Sequence, residues 1–240
     1  MSAEFDPPEF DRHAESYDGG IDNSVKGMLV DADSFIAVKA RWLIRHEPCL
    51  HGGDLGLLDY GCGAGDLMRV LAGMGARARF RGCDVSAGML AEAARRWPAG
   101  LGSAPGLEPQ DGARTPFADA QFDVVMISAV LHHVPPRERP AVYAELGRVL
   151  KPGGRLYVFE HNPRNPLVRY VIARTPIDAN AVLLDAGEVR QGLRAAARYE
   201  LTTDYLMFMP PGMAFLAPVE RALAWLPLGA QYAVAARKPS

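Results

Sequence analysis

Asp59, Gly61, Gly63 and Gly65 stand at alternate positions in the run LDYGCGAG, directly after an apolar stretch. Glycines in such a turn permit positive φ and let a ligand come close to the backbone. The carboxyl end of a strand is also where open α/β sheets bind ligands. A plain tight turn is the other reading of these residues. The spacing separates nucleotides, because a dinucleotide site wants G-x-G-x-x-G with its pyrophosphate on a helix N-terminus. Here the glycines run G-x-G-x-G behind a carboxylate. Asp59 would repel a pyrophosphate and attract the α-ammonium and sulfonium of S-adenosylmethionine. A nicotinamide-dependent oxidoreductase is disfavoured on both counts.

Further carboxylates follow at suggestive places. Asp84 closes the next apolar run, RFRGCD, and a carboxylate there accepts the two hydrogen bonds of a ribose diol. Its plainer role is a negative charge at the N-terminus of the following helix. Asp111, before Gly112, stands where the chain returns from a third strand and can accept from an adenine amine; a solvated turn aspartate is the alternative.

On the acceptor side, His132 and His133 lie in VLHHV, after the apolar run FDVVMIS. A neutral imidazole with a pKa near 6.5 can take a proton from a hydroxyl or ammonium. Structural hydrogen bonding under the loop is the competing role, and His133 is favoured over His132 as the reacting group. Glu160, His161 and Asn162 end another apolar run and are expected across the same mouth, with Arg164, Arg169 and Arg174 beyond them. No HxxxH or HExxH spacing joins these residues, so no metal site is expected.

The elements that must position these groups read as strand, turn, helix, repeated. Apolar spacing makes the first ~50 residues helical. Strands are expected over 55–60, 78–83, 122–128 and 155–160, and helices over 66–74, 86–96 and 136–150. Ser86 is the expected cap of the second of these helices. Three prolines and three glycines in 97–109 weaken the pattern of a third strand. Residues 161–180, with prolines at 163, 166 and 176, read as an irregular excursion, then a helix over 187–197. Strand-like runs at 199–207 and 231–236 suit an antiparallel hairpin at the sheet edge. Alternating strands and helices imply a mostly parallel sheet covered on both faces.

The composition is that of an ordinary globular chain, with 49% hydrophobic and 22% charged residues. Twenty-six basic residues against 28 acidic give a net charge of -2 and no basic run, so nucleic acid is not an expected partner. Cys49, Cys62 and Cys83 form no CxxC pair, which suits a reducing compartment. No apolar stretch reaches the ~18 residues of a membrane span. The first residues lack the order of a signal peptide, and a cytoplasmic location is expected.

Leu57–Gly65 (LLDYGCGAG), Gly82–Ser86 (GCDVS), Thr115–Phe117 (TPF) with Phe122–Val125 (FDVV), and Arg148–Gly154 (RVLKPGG) together resemble the successive motifs of class I S-adenosylmethionine-dependent methyltransferases. The match is to the type 11-like branch whose domain is shared with quinone-biosynthesis enzymes, and it spans roughly residues 55–160. Phe10–Asp18 (FDRHAESYD) resembles the segment that branch places before its lid helices. The resemblance implies an α/β three-layer Rossmann-like sandwich, its seven-stranded sheet mainly parallel with an antiparallel last strand, under an N-terminal helical lid.

It further implies a single domain over 1–240. Its parts are a lid at 1–50, a cofactor-binding core at 55–160, an acceptor-side insertion at 161–198 and C-terminal strands at 199–240. By the same resemblance the Gly61–Gly65 backbone, with Cys62 and Gly63, holds the methionine part of the donor. Asp84, with Val85 and Met89 beside it, takes the ribose, while Asp111 and Gly112 meet the adenine. Ser128 and Ala129 lie near the sulfonium, and Tyr17 closes over the donor. The expected products are S-adenosylhomocysteine and a methylated small molecule, with oxygen the expected acceptor atom and carbon or nitrogen the alternatives. His133, His132 and Glu160 are the expected catalytic groups. A sulfonium-binding protein that does not methylate shares the same loop. A monomer or a homodimer is expected.

Overall fold

A computed structural model of the protein describes residues 32–52, 54–175, 178, 180–209 and 216–240. Tyr17 and the 10–18 segment lie outside the described residues, so the expected lid is described only from residue 32 onward.

Helix α1 (Ala32–His46) precedes the sheet and carries in its last turn Arg45, a cation that suits a helix C-terminus. Strands β1 (Leu55–Tyr60), β2 (Ala78–Asp84) and β3 (Gly106–Pro109) alternate with α2 (Asp66–Gly73) and α3 (Ala87–Arg96). Next come β4 (Phe122–Ser128), α4 (Arg139–Val149) and β5 (Leu150–His161). Helices α5 (Pro166–Ile172) and α6 (Ala186–Ala196), strand β6 (Glu200–Leu206), helix α7 (Ala217–Leu223) and strand β7 (Gln231–Arg237) complete the described chain.

Among the described residues seven strands form one sheet in the order β3-β2-β1-β4-β5-β7-β6. Pairings from β3 through β5 are parallel, whereas β7 slots between β5 and β6 antiparallel to both. The order reverses at β1, which lies between β2 and β4, and such a switch point opens a crevice for a ligand.

The two faces of the sheet bury separate apolar layers, as the alternation of side chains in a strand requires. Leu57 of β1 packs with Leu43 of α1, Met68 and Leu71 of α2 and Leu90 of α3. Leu58, its neighbour in sequence, packs on the opposite face with Leu146 of α4 and Val189 and Leu193 of α6. Helix α1 is fixed by more than apolar contact. Trp42 Nε1 donates to Asp204 Oδ2 of β6 at 2.8 Å, and just past α1 Glu47 receives Arg155 of β5. The described part of the expected lid is therefore a packed element of the sandwich.

Two expectations need correction. The 161–180 excursion is not irregular throughout, because Asn165 caps α5 by accepting from Leu167 N and Val168 N, with Pro166 in the first turn. β5 begins at Leu150 rather than Arg155, running through Lys151–Gly154, a stretch that reads as a helix stop. Gly153, at φ +75, makes that passage possible.

Candidate functional site

A cleft of about 240 Å³ opens at the carboxyl ends of β1, β2 and β4. Its floor is the glycine turn. Gly61 (φ +68) and Gly63 (φ +51) both hold positive φ. A Cβ on Gly61 would stand 2.6 Å from Val130 Cγ2, so only glycine fits beneath that side chain. A Cβ on Gly63 would meet nothing within 4 Å, since that position faces open space in the cleft. The turn is tied down by Asp84, whose Oδ2 accepts from Gly63 N at 2.8 Å and Oδ1 from Ser86 N at 2.9 Å. Ser86 in turn caps α3 by accepting from Met89 N.

The electrostatics of the cleft are acidic around one buried cation. Asp59, Asp66, Asp84 and Lys39 all line it and are all buried. Lys39 reaches in from α1 and donates to Ser128 Oγ at 2.8 Å. Burial depresses its pKa, against the attraction of Glu160, Asp59 and Asp66. Asp59 is pushed up to about 8, first by burial and then by the like charge of Asp84, with Lys39 pulling the other way. A buried carboxyl in this state takes a proton unless a cation arrives to replace it. The cleft is thus suited to a ligand that brings positive charge.

At the far end Gln110 and Gly112 line the cleft, and Gln110 Oε1 is buried without a hydrogen-bond partner. An unpaired buried acceptor wants a donor such as an exocyclic amine. The open position at Gly63, the acidic floor and this orphaned acceptor together fit an adenosine carrying a cationic amino-acid tail.

The loop after β4 is held from below. Ala129, at φ +58, turns the chain. Glu160 Oε1 then accepts from Val130 N and Leu131 N at 3.0 and 2.7 Å, and its Oε2 lies 2.6 Å from His132 Nδ1. Buried Arg139 donates to the carbonyls of Leu131 and Val134, and Val182 N donates to that of His132. Asp178 Oδ1 approaches His132 Nε2 at 3.3 Å and His133 Nε2 at 3.4 Å. Burial opposes charge on His132, yet Glu160 and Asp178 outweigh it and lift the pKa to about 9. Burial would raise Glu160, but His132 holds it down to about 2. Burial and the neighbouring His132 charge lower His133 to about 4.

Of the residues singled out in the sequence, Asp59, Gly61, Cys62, Gly63, Asp84, Val85, Met89, Gly112, Ser128, Ala129 and His133 line one cleft. His132 and Glu160 do not line it; both are buried beneath the loop that carries His133. Asp111 is exposed, and its backbone closes a small bridge with Arg114. Asn162 is buried, with its amide spent on the carbonyls of Pro227 and Gly229, so it joins two loops rather than facing an acceptor. Arg164 pairs with Asp185, and Arg174 stacks on Tyr170.

Sequence reasoning missed Lys39, Gln110 and Asp178. Lys39 had a signal, as the one charged residue in the apolar stretch FIAVKA. Gln110 lay one position from the residue chosen. Asp178 had none, because 45 residues separate it from His133 and no spacing rule spans such a gap.

A family model described as a methyltransferase domain matches residues 57–154. The chain is 33% identical over 165 residues to a 2-phytyl-1,4-naphtoquinone methyltransferase of Synechococcus elongatus, covering 67% of each protein. It is 35% identical over 128 residues to a ubiquinone/menaquinone biosynthesis C-methyltransferase of Desulfotalea psychrophila, covering 51% of this chain and 48% of that one. The chain belongs to the class I S-adenosylmethionine-dependent methyltransferases. Its fold agrees with a magnesium protoporphyrin IX methyltransferase of Synechocystis solved with bound S-adenosylhomocysteine, at TM-score 0.63 and 17% identity over 95% of this chain and 96% of that one. The methyl donor is S-adenosylmethionine. No helix among the described residues is long and apolar enough to cross a membrane.

Proposed function

We propose that this methyltransferase alkylates the hydroxyl oxygen of a small, ring-bearing acceptor. The observation that carries the reading is the apolar part of the cleft lining beside the donor loop. Val130, Val134 and Val142 form it, and the imidazole of His133 is set among them. An apolar wall with one or two placed polar groups suits an aromatic or quinol-like molecule whose hydroxyl meets the imidazole. Bound in the cleft, S-adenosylmethionine supplies a methyl group made electrophilic by its sulfonium.

The chain's own residues bind and orient. Asp59 takes the α-ammonium, Asp84 the ribose hydroxyls and Gln110 Oε1 the adenine amine, while Gly63 leaves room for the donor to lie on the backbone. Lys39 holds Ser128 and balances the carboxylates. His133 directs the hydroxyl toward the methyl carbon and passes the proton that the oxygen loses on to solvent, and the valines keep the path dry. Positioning of this kind is the main source of rate in a displacement at carbon. The 161–198 segment contributes Asp178 and Val182 behind the histidine loop and is the proposed acceptor side of a single domain.

Methylation at a ring carbon beside the hydroxyl is a second reading, favoured by the C-methyltransferase relative. The test is to incubate the protein with S-adenosylmethionine and a panel of naphthoquinols, catechols and aliphatic amines. Products are read by mass spectrometry and the methylated atom by NMR. Hydroxylated aromatics are expected to yield S-adenosylhomocysteine and an O-methyl ether. Turnover of the amines alone would overturn the acceptor assignment, and a C-methyl product would select the second reading.

A further inference from the structure

We propose that His132, His133 and Asp178 form a binding site for a divalent transition-metal ion, best suited to Zn2+, beside the acceptor end of the cleft. One ligand atom from each residue falls within 4.8 Å of the others. The finer geometry is more telling. In a tetrahedral zinc site with bonds of about 2.0–2.1 Å, neighbouring ligand atoms stand about 3.3–3.4 Å apart. Asp178 Oδ1 lies 3.3 Å from His132 Nε2 and 3.4 Å from His133 Nε2. These separations are long for hydrogen bonds but match two edges of such a tetrahedron.

The surroundings have the form that holds histidine ligands in metal sites. His132 Nδ1 is 2.6 Å from Glu160 Oε2, an outer carboxylate that fixes the ring and leaves Nε2 pointing at Asp178. Glu160 is itself anchored by Val130 N and Leu131 N, and Arg139 clamps the same loop from the other side. The ligands are thus positioned before any ion arrives. Two carboxylates, Asp178 and Glu160, balance a dication, which takes the place of the proton they otherwise hold on His132. Imidazole nitrogens select zinc and its neighbours over magnesium or calcium, which prefer oxygen.

His133 lines the cleft whereas His132 is buried, so the fourth coordination position lies toward the cleft side. Resting on the function proposed above, that position takes the acceptor's hydroxyl oxygen, and His133 then meets the hydroxyl through the ion. Binding of the ion itself does not depend on that reading.

The test uses untagged, chelator-treated full-length protein titrated with Zn2+ by calorimetry and with Co2+ by visible absorption. The expected result is one ion per chain and the intense visible bands of tetrahedral Co2+. Asp178→Asn, which keeps the side chain's shape, should weaken binding at least tenfold, and Glu160→Gln by about 10–100-fold. Titration with S-adenosylhomocysteine shows whether each variant is folded, because neither residue lines the donor cleft. Failure of the wild-type protein to bind either ion, with S-adenosylhomocysteine binding intact, overturns the proposal and leaves a buried ion cluster. Unchanged Zn2+ affinity in folded Asp178→Asn also overturns it, by placing the ion elsewhere. Should that variant not fold, octahedral Co2+ bands in the wild-type protein refute the site.

Discussion

Asp84→Asn is a sharper perturbation than its small change in size suggests. Each oxygen of Asp84 already accepts one backbone N–H, from Gly63 at 2.8 Å and from Ser86 at 2.9 Å. A carboxylate oxygen has a second acceptor site, which is the one proposed for the ribose diol. An asparagine keeps one of the two oxygens. Whichever way the amide turns, its NH2 faces a backbone N–H at hydrogen-bonding distance, donor against donor. The variant loses one ribose bond, the charge on the other, and one tie of the glycine turn. Bonds to a charged group contribute about 1.5–3 kcal/mol, so affinity for S-adenosylhomocysteine should fall about 10–150-fold.

The same clash lowers stability, because a buried N–H without a partner costs about 1–3 kcal/mol. Calorimetric titration with S-adenosylhomocysteine gives the first quantity and urea denaturation the second. Asp84→Ala removes the clash but leaves the N–H groups of both Gly63 and Ser86 without their acceptor, so it should lose affinity and at least as much stability. Affinity within twofold of wild type in both variants would refute the reasoning and take Asp84 out of the site.

Gly63→Ala and Gly61→Ala should separate the cleft from the fold. At Gly63 an added Cβ meets no protein atom within 4 Å, so the strain of φ +51 limits the stability loss to about 1–2 kcal/mol, while the methyl intrudes on the donor and abolishes detectable binding by calorimetry. At Gly61 the contact with Val130 Cγ2 adds overpacking, and thermal denaturation should show the larger loss. Asp59, raised to about 8, is mostly protonated in the ligand-free protein at pH 7, and the donor's ammonium displaces that proton. Calorimetry in buffers of different ionisation enthalpy should find about 0.9 protons released per S-adenosylhomocysteine at pH 7 and about half that at pH 8. Since protons leave on binding, affinity should rise with pH up to about 8; Asp59→Asn should abolish the release.

Much of this fold is legible in the sequence, for reasons visible in particular elements. β1 and β4 occupy the expected residues because each is an apolar run between polar or glycine ends. α3 begins where Ser86 caps it. Where the reading failed, one pattern had two meanings. Lys151–Gly154 carries the signature of a helix stop, and it is also a strand that bulges, with the register against β4 shifting between Phe122 and Val124. The prolines of 161–180 read as breakers, yet Asn165 before Pro166 is a helix start. The donor loop was legible because its residues are adjacent in sequence. The support under His133 was legible only in part, since Glu160 was expected at the same mouth and Arg139 is a near neighbour in sequence, whereas Asp178 arrives from 45 residues away.

The donor cleft gathers three buried carboxylates about Lys39, and although Arg69 and Arg96 pair with Asp66 from behind, a charge on Asp59 as well would be costly if nothing else arrived. A proton on Asp59 removes most of that cost while the cleft waits. The donor then replaces the proton with its ammonium and adds a sulfonium, so it gains attraction from the whole acidic set. After transfer the product keeps the ammonium but has lost the sulfonium charge. Attraction from Asp59 survives the reaction, whereas attraction to the sulfonium does not. The same carboxylates that capture the donor therefore favour its exchange for the product. Lys39 limits the effect, since a cation held at Ser128 tempers the field where the sulfonium is proposed to lie. Removing its charge, as in Lys39→Met, strengthens attraction for the donor more than for the product, which widens the gap between their affinities.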